Sequence, residues 1–126
     1  MVVDTSILVA VFFNEEFGPW AADRLQENAR ALRMSAVNYA ETLALLQDRQ
    51  PNLYAELRDA IRASPIRLVP PTEEQAEIAA EARLRYPLNL GDCFAYALAK
   101  VEDCPLLTLD RDFSKTDLRV ILPRMR

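Results

Sequence analysis

The sequence predicts an α/β fold: a parallel sheet of short strands held between layers of helices. Three observations carry this. Short apolar runs alternate with helix-length amphipathic segments from one end of the chain to the other. Each run ends on a polar or proline residue suited to starting a helix or turn. One segment, Leu88 to Val101 (LNLGDCFAYALAKV), is apolar on almost every side, which places that helix inside a core.

Taken in order, Met1 to Val3 forms a short strand that stops at Asp4. Thr5 and Ser6 offer helix-start hydroxyls ahead of Ile7, Leu8, Val11 and Phe12. Asn14 to Gly18 is a turn, and Pro19 to Asn28 a second helix with Trp20, Ala21 and Leu25 on one face. Ala31 to Met34 is a strand. Ser35 caps a third helix to about Asp48, in which Glu41 falls beside the apolar stripe with Asn38 a turn away. Pro51 opens a fourth helix whose buried face is Leu53, Leu57, Ala60 and Ile61, paired with the third as a helical hairpin. Ile66 to Val69 is a strand closed by Pro70 and Pro71. Thr72 and Gln75 form a capping box for a fifth helix to about Arg85, where Arg83 and Arg85 suit the negative end of the dipole. Tyr86 and Pro87 stop it, and the apolar helix follows. Pro105 to Leu109 is a buried strand leading to Asp110, Phe113 to Asp117 a loop, and Leu118 to Leu122 the last strand. No repeat, linker or low-complexity segment breaks residues 1–126, which read as a single domain.

Composition narrows the chemistry. Hydrophobic residues make up 51% of the 126, enough for one sizeable core. No apolar run approaches the roughly 20 residues of a membrane span, and no basic n-region precedes the apolar start, so a soluble, cytoplasmic protein is expected. Cys93 and Cys104 form no metal-type pair and read as buried reduced thiols. There is no histidine. That excludes Ser-His-Asp and Cys-His nucleophiles and histidine-ligated zinc. The net charge of −4 argues against bulk electrostatic capture of nucleic acid while allowing a local basic rim.

Four acid positions point to one place. Asp4 and Asp110 end strands, Asp92 begins the apolar helix, and Glu41 lies on a helix packed beside them. Ligands of parallel sheets bind at the carboxyl ends of the strands. Carboxylates gathered there repel unless one keeps its proton or a cation sits among them. Hard oxygen ligands select Mg²⁺ or Mn²⁺, and such a site suits hydrolysis of a phosphodiester bond.

The stretches MVVDTSILVAVFFNE, SAVNYAETLALL, LNLGDCFAYALAK and PLLTLDRDFSKTDLRVI resemble those of PIN-domain ribonucleases of the VapC toxin family, over essentially the whole length. The resemblance implies a PIN-like three-layer α/β/α sandwich and a metal-dependent endoribonuclease, the toxin of a type II toxin–antitoxin pair. It implies that Asp4, Glu41 and Asp92 are the acidic triad, with Asp4 and Asp92 the principal Mg²⁺ ligands. The fourth acid comes from LDRDF, where Asp110 and Asp112 are both candidates and strand-end geometry favours Asp110. Thr5 and Ser6 match the family's DTS step and would orient Asp4 or a water.

By the same resemblance the partners are a VapB-type antitoxin lying in a groove of the first four helices, with Trp20 and Tyr39 as possible contacts, an RNA substrate, and a second copy of the chain. Arg111, Lys115, Arg119, Arg124 and Arg126 are candidate contacts to the RNA backbone. One departure stands out: only TyrProLeuAsn links Arg85 to Leu90, where relatives carry a longer basic loop. A receiver domain would want an acid pair at the first strand, and a haloacid-dehalogenase phosphatase an acid where Ser6 stands. A non-catalytic PIN module acting as a protein or RNA binding surface is the alternative.

Overall fold

The structure is a computed structural model and describes residues 1–124; the Arg126 candidate lies outside them. Five strands, β1 (Val2–Val3), β2 (Arg33–Ser35), β3 (Arg67–Val69), β4 (Leu106–Leu107) and β5 (Val120–Ile121), form one sheet in the order β3-β2-β1-β4-β5. Every pairing is parallel. Six helices accompany them: α1 (Thr5–Phe12), α2 (Gly18–Glu27), α3 (Ala36–Arg49), α4 (Tyr54–Ala63), α5 (Glu73–Arg85) and α6 (Leu90–Glu102).

The period-two alternation of the strands sorts the core into two layers. Val2 and Leu106 face the cluster built with α5 and α6, which also holds Leu98 and Phe113. Val3 and Leu107 face the cluster of Ile7, Ala21, Leu46 and Ile61 from α1 to α4. In α6, Cys93 and Ala95 to Ala99 are buried. Its ends differ from the all-apolar expectation: Leu90 is 58% and Val101 37% exposed, because the flanking layers cover only the middle of the helix.

Four further differences are local. The N-cap of α1 is Asp4 itself, its carboxylate accepting the Ser6 N–H, and not the Thr5 or Ser6 hydroxyl. Pro51–Leu53 forms a separate 3-10 turn ahead of α4, which leaves Leu53 45% exposed, and Ala60 is exposed as well. Thr72 does accept the Gln75 N–H, but the capping box is not closed, since Gln75 Oε1 is buried without a partner. The stretch after Asp110 is a 3-10 helix, Arg111–Lys115, that carries Phe113 into the core.

The sheet order sets the position of the site. Successive strands run outward in one direction from β1 to β3 and in the other from β4 to β5. The crevice between β1 and β4 is thus the topological switch point, where open α/β sheets bind ligands. Asp4 follows β1 there, its N–H bonded to Leu107 O at 3.3 Å. Among the described residues no helix is long and apolar enough to cross a membrane.

Candidate active site

Asp4 is 3% exposed. Its Oδ1 accepts the Ser6 N–H at 3.1 Å and the Ser6 hydroxyl at 2.6 Å, and its Oδ2 accepts the Thr108 hydroxyl at 2.7 Å. The two hydroxyls also accept backbone N–H groups from the chain leaving β4: Leu109 N to Ser6 Oγ at 3.0 Å, and Asp110 N to Thr108 Oγ1 at 2.9 Å. They therefore lock the carboxylate to the turn that presents Asp110. Oδ1 has both lone pairs engaged, while Oδ2 keeps one for a ligand.

Asp92 is the third residue of α6. It closes a capping box in which its N–H reaches Asn89 Oδ1 at 2.8 Å and its Oδ2 accepts the Asn89 N–H at 3.3 Å. Glu41, from the middle of α3, accepts Thr5 Oγ1 at 3.0 Å and Asn38 Nδ2 at 2.9 Å, both on Oε1. Gly91 makes room for it: a Cβ there would overlap Glu41 Oε2. Asp110 caps the 3-10 helix by accepting the Asp112 N–H at 2.9 Å.

Asp4, Glu41, Asp92 and Asp110 line one open cleft of about 600 Å³, together with Thr5, Ser6 and Asn89. Asp112 does not line it. Its carboxylate is paired with Lys115 at 3.2 Å, though its charge is felt at Asp92. The grouping is electrostatically costly. Burial pushes the Asp4 carboxyl up to about 7; the Ser6 and Thr108 hydroxyls pull it down, and the charges of Asp92 and Asp110 push it up again. Asp92 is raised to about 6, first by burial and then, against the helping Asn89 N–H, by Asp110, Glu41 and Asp112.

The donor set is entirely hard oxygen. Among the described residues, no three acidic or thiol side chains stand close enough to grip a cation between them.

The PIN domain family model matches residues 1–118. A VapC ribonuclease of Mycobacterium bovis is 36% identical across 94% of this chain and 97% of its own length. Ribonuclease VapC28 of Mycobacterium tuberculosis is 35% identical across 98% and 99%. The chain belongs to the VapC family of PIN-domain ribonucleases. Its fold is shared by a toxin–antitoxin complex from Klebsiella pneumoniae, with a TM-score of 0.81, 21% identity and coverage of 98% and 97%. It is shared equally by VapC20 of Mycobacterium tuberculosis, a toxin that cleaves the sarcin–ricin loop, with a TM-score of 0.80, 24% identity and coverage of 97% and 98%.

In this VapC-family chain several anticipated contacts fall elsewhere. Thr5 serves Glu41, and Ser6 alone of the DTS step holds Asp4. Arg119 precedes β5, whose Val120 pairs in parallel with Leu106, so it stands at the opposite sheet edge from the acids. Arg111 donates to Pro123 O at 2.7 Å, and Arg124 is exposed. Cys93 is buried and Cys104 half-buried, both free.

Trp20 and Tyr39 are half-buried against the α1 to α4 cluster. Neither lines the apolar groove of about 400 Å³ formed by Leu8 and Phe12 of α1, Leu25 of α2 and Ile61 of α4; α3 contributes nothing to it. Thr108, Gly91 and the rim residue Glu15 escape the sequence reading. The hydroxyl two residues before Asp110 was the available signal for Thr108.

Proposed function

We propose that this chain is the toxin of a type II toxin–antitoxin pair and a metal-dependent endoribonuclease that hydrolyses RNA phosphodiester bonds. The observation that carries this is the convergence of four carboxylates from four separate stretches on one cleft, two of them held far above the ordinary carboxylate range. A site under that strain gains from a divalent cation. Asp4, through the lone pair left on Oδ2, and Asp92 would hold Mg²⁺ or Mn²⁺. When bound, the ion supplies charge neutralisation at the scissile phosphate and lowers the pKa of water.

The remaining steps fall to the chain. Glu41 and Asp110 orient the attacking water; one carboxylate takes its single proton as the new P–O bond forms, and the leaving ribose oxygen takes a proton from solvent as its bond to phosphorus breaks. Ser6 and Thr108 favour the ionised form of Asp4 by donating to it, against the larger opposing effect of its burial. The Asn89 N–H does the same for Asp92. An antitoxin of the VapB type would cover the apolar groove of α1, α2 and α4 with a helix and extend a basic side chain towards the acids. Co-purification with the product of an adjacent gene, lost on Leu25→Glu, tests that. A second copy of the chain is a further proposed partner, read by light scattering on the purified protein.

The decisive experiment is cleavage of a structured RNA by purified protein. Mg²⁺-dependent cutting should fall by roughly 10²-fold or more in Asp92→Asn, with the thermal midpoint retained. Undiminished cutting by that variant, or cutting in excess EDTA, contradicts the assignment. A chain that neither cuts nor binds Mn²⁺ is a non-catalytic binding module.

A further inference from the structure

Asn38 carries a cost that a plain core residue at its position would not. It sits on the inner face of α3, 1% exposed, beside Thr42 and Leu46. Its Oδ1 is buried without a partner. An orphaned buried acceptor costs about 1–3 kcal/mol, and asparagine is also a poor helix former. A leucine at the same position would avoid both penalties and forfeit the two hydrogen bonds that the amide donates.

What the amide does instead is spend both Nδ2 protons across a helix boundary. One goes to Glu41 Oε1 at 2.9 Å, a turn along α3, and the other to Gly91 O in α6 at 3.0 Å. Gly91 is the neighbour of Asp92. The amide thereby fixes one acid from α3 against the helix turn that carries another. Thr5 supplies the second donor to the same oxygen, so Oε1 is saturated and the carboxylate has one orientation. Gly91 leaves the space that this orientation needs.

We propose that Asn38 is a positioning residue for Glu41, fixing its carboxylate through Oε1 against the first turn of α6, which carries Asp92. The proposal rests on the ribonuclease reading above for its catalytic consequence, and on the hydrogen bonds alone for its structural one. Groups that hydrogen-bond the side chains of a metal site from outside commonly control activity by about 10–100-fold.

The test uses Asn38→Leu in the full chain, with Asn38→Asp as the second variant should the first fold poorly. Each is followed by carboxyl ¹³C NMR of glutamate-labelled protein, with the Glu41 resonance identified by its loss in Glu41→Gln. Cleavage kinetics and thermal midpoint complete the set. The Glu41 resonance should shift, and kcat should drop about 10–100-fold with KM within about 3-fold.

A core variant such as Leu98→Ala should lower the midpoint and leave the Glu41 resonance in place. An unmoved Glu41 resonance overturns the proposal whatever the activity. An unchanged kcat in a wild-type background that does cleave RNA overturns it as well. Wild-type protein that cleaves no RNA would instead overturn the ribonuclease reading, with the resonance shift still deciding the contact.

Discussion

At the scale of single residues, the site is made from small groups that donate to, or make way for, larger charged ones. Gly91 illustrates the second role. It does not occupy a left-handed conformation; what it supplies is absence, because a methyl there would overlap the Glu41 carboxylate. Gly91→Ala adds a residue that favours helix by about 1 kcal/mol. It should therefore leave the thermal midpoint near or above wild type while cutting RNA cleavage about 10–100-fold by displacing Glu41. A fully active Gly91→Ala protein would show that Glu41 has no fixed place.

The same scale explains what the sequence could and could not disclose. Asp4 and Asp92 are legible because their positions follow from local pattern, a strand end and a helix first turn. Asn38 is legible as a neighbour of Glu41 on one helix face, but its bond to Gly91, 53 residues on, is not, nor is the overlap of Gly91 with Glu41 or the bond of Thr108 to Asp4, 104 residues away. No spacing rule encodes those contacts.

At the scale of elements, α6 carries two duties. Its middle fills the core, and its first turn holds Asp92 in a capping box with Asn89. Losing the side chain that accepts the Asp92 N–H should cost about 1 kcal/mol. Asn89→Ala should accordingly lower the unfolding free energy by that amount in a denaturant titration. It should also weaken Mn²⁺ binding, since the box fixes the Asp92 rotamer. Loss of stability with unaltered Mn²⁺ affinity would separate the cap from the site.

The alternation of strands and helices made the elements predictable, but their boundaries were less so. Leu53 falls on the apolar stripe of the fourth helix by spacing, yet the 3-10 turn at Pro51 lifts it out of the core. Arg119 flanks the LDRDF acids in sequence, whereas the parallel direction of β5 sends it to the other edge. Direction within the sheet is a property of topology and leaves no mark at the residue itself.

At the scale of the whole molecule, the sheet order brings Asp4 and Asp110 together at the switch point, and the helices on the two faces add Glu41 and Asp92. The fold thus stores a charge conflict that a proton or a cation relieves. The direction of the pH effect follows. Asp4 and Asp92 have folded values of about 7 and about 6, above the ordinary 3.8. Between pH 4 and 7 the folded chain therefore binds protons more tightly than the unfolded one. Without a divalent ion, the contribution of these two groups is present in full below pH 4 and is lost as pH rises towards 7. Saturating Mn²⁺ should raise the thermal midpoint distinctly more at pH 7.5 than at pH 5.5. An equal rise at both would mean that the ion binds elsewhere.

The most direct measurement is a calorimetric Mn²⁺ titration at pH 6.5, repeated in buffers of different ionisation enthalpy to count the protons displaced. The account predicts one saturable class of sites, about one proton released per ion bound, and loss of both on Asp4→Asn. Binding that persists in Asp4→Asn, or that displaces no proton in the wild type, would contradict a cleft whose acids are gathered to hold a cation.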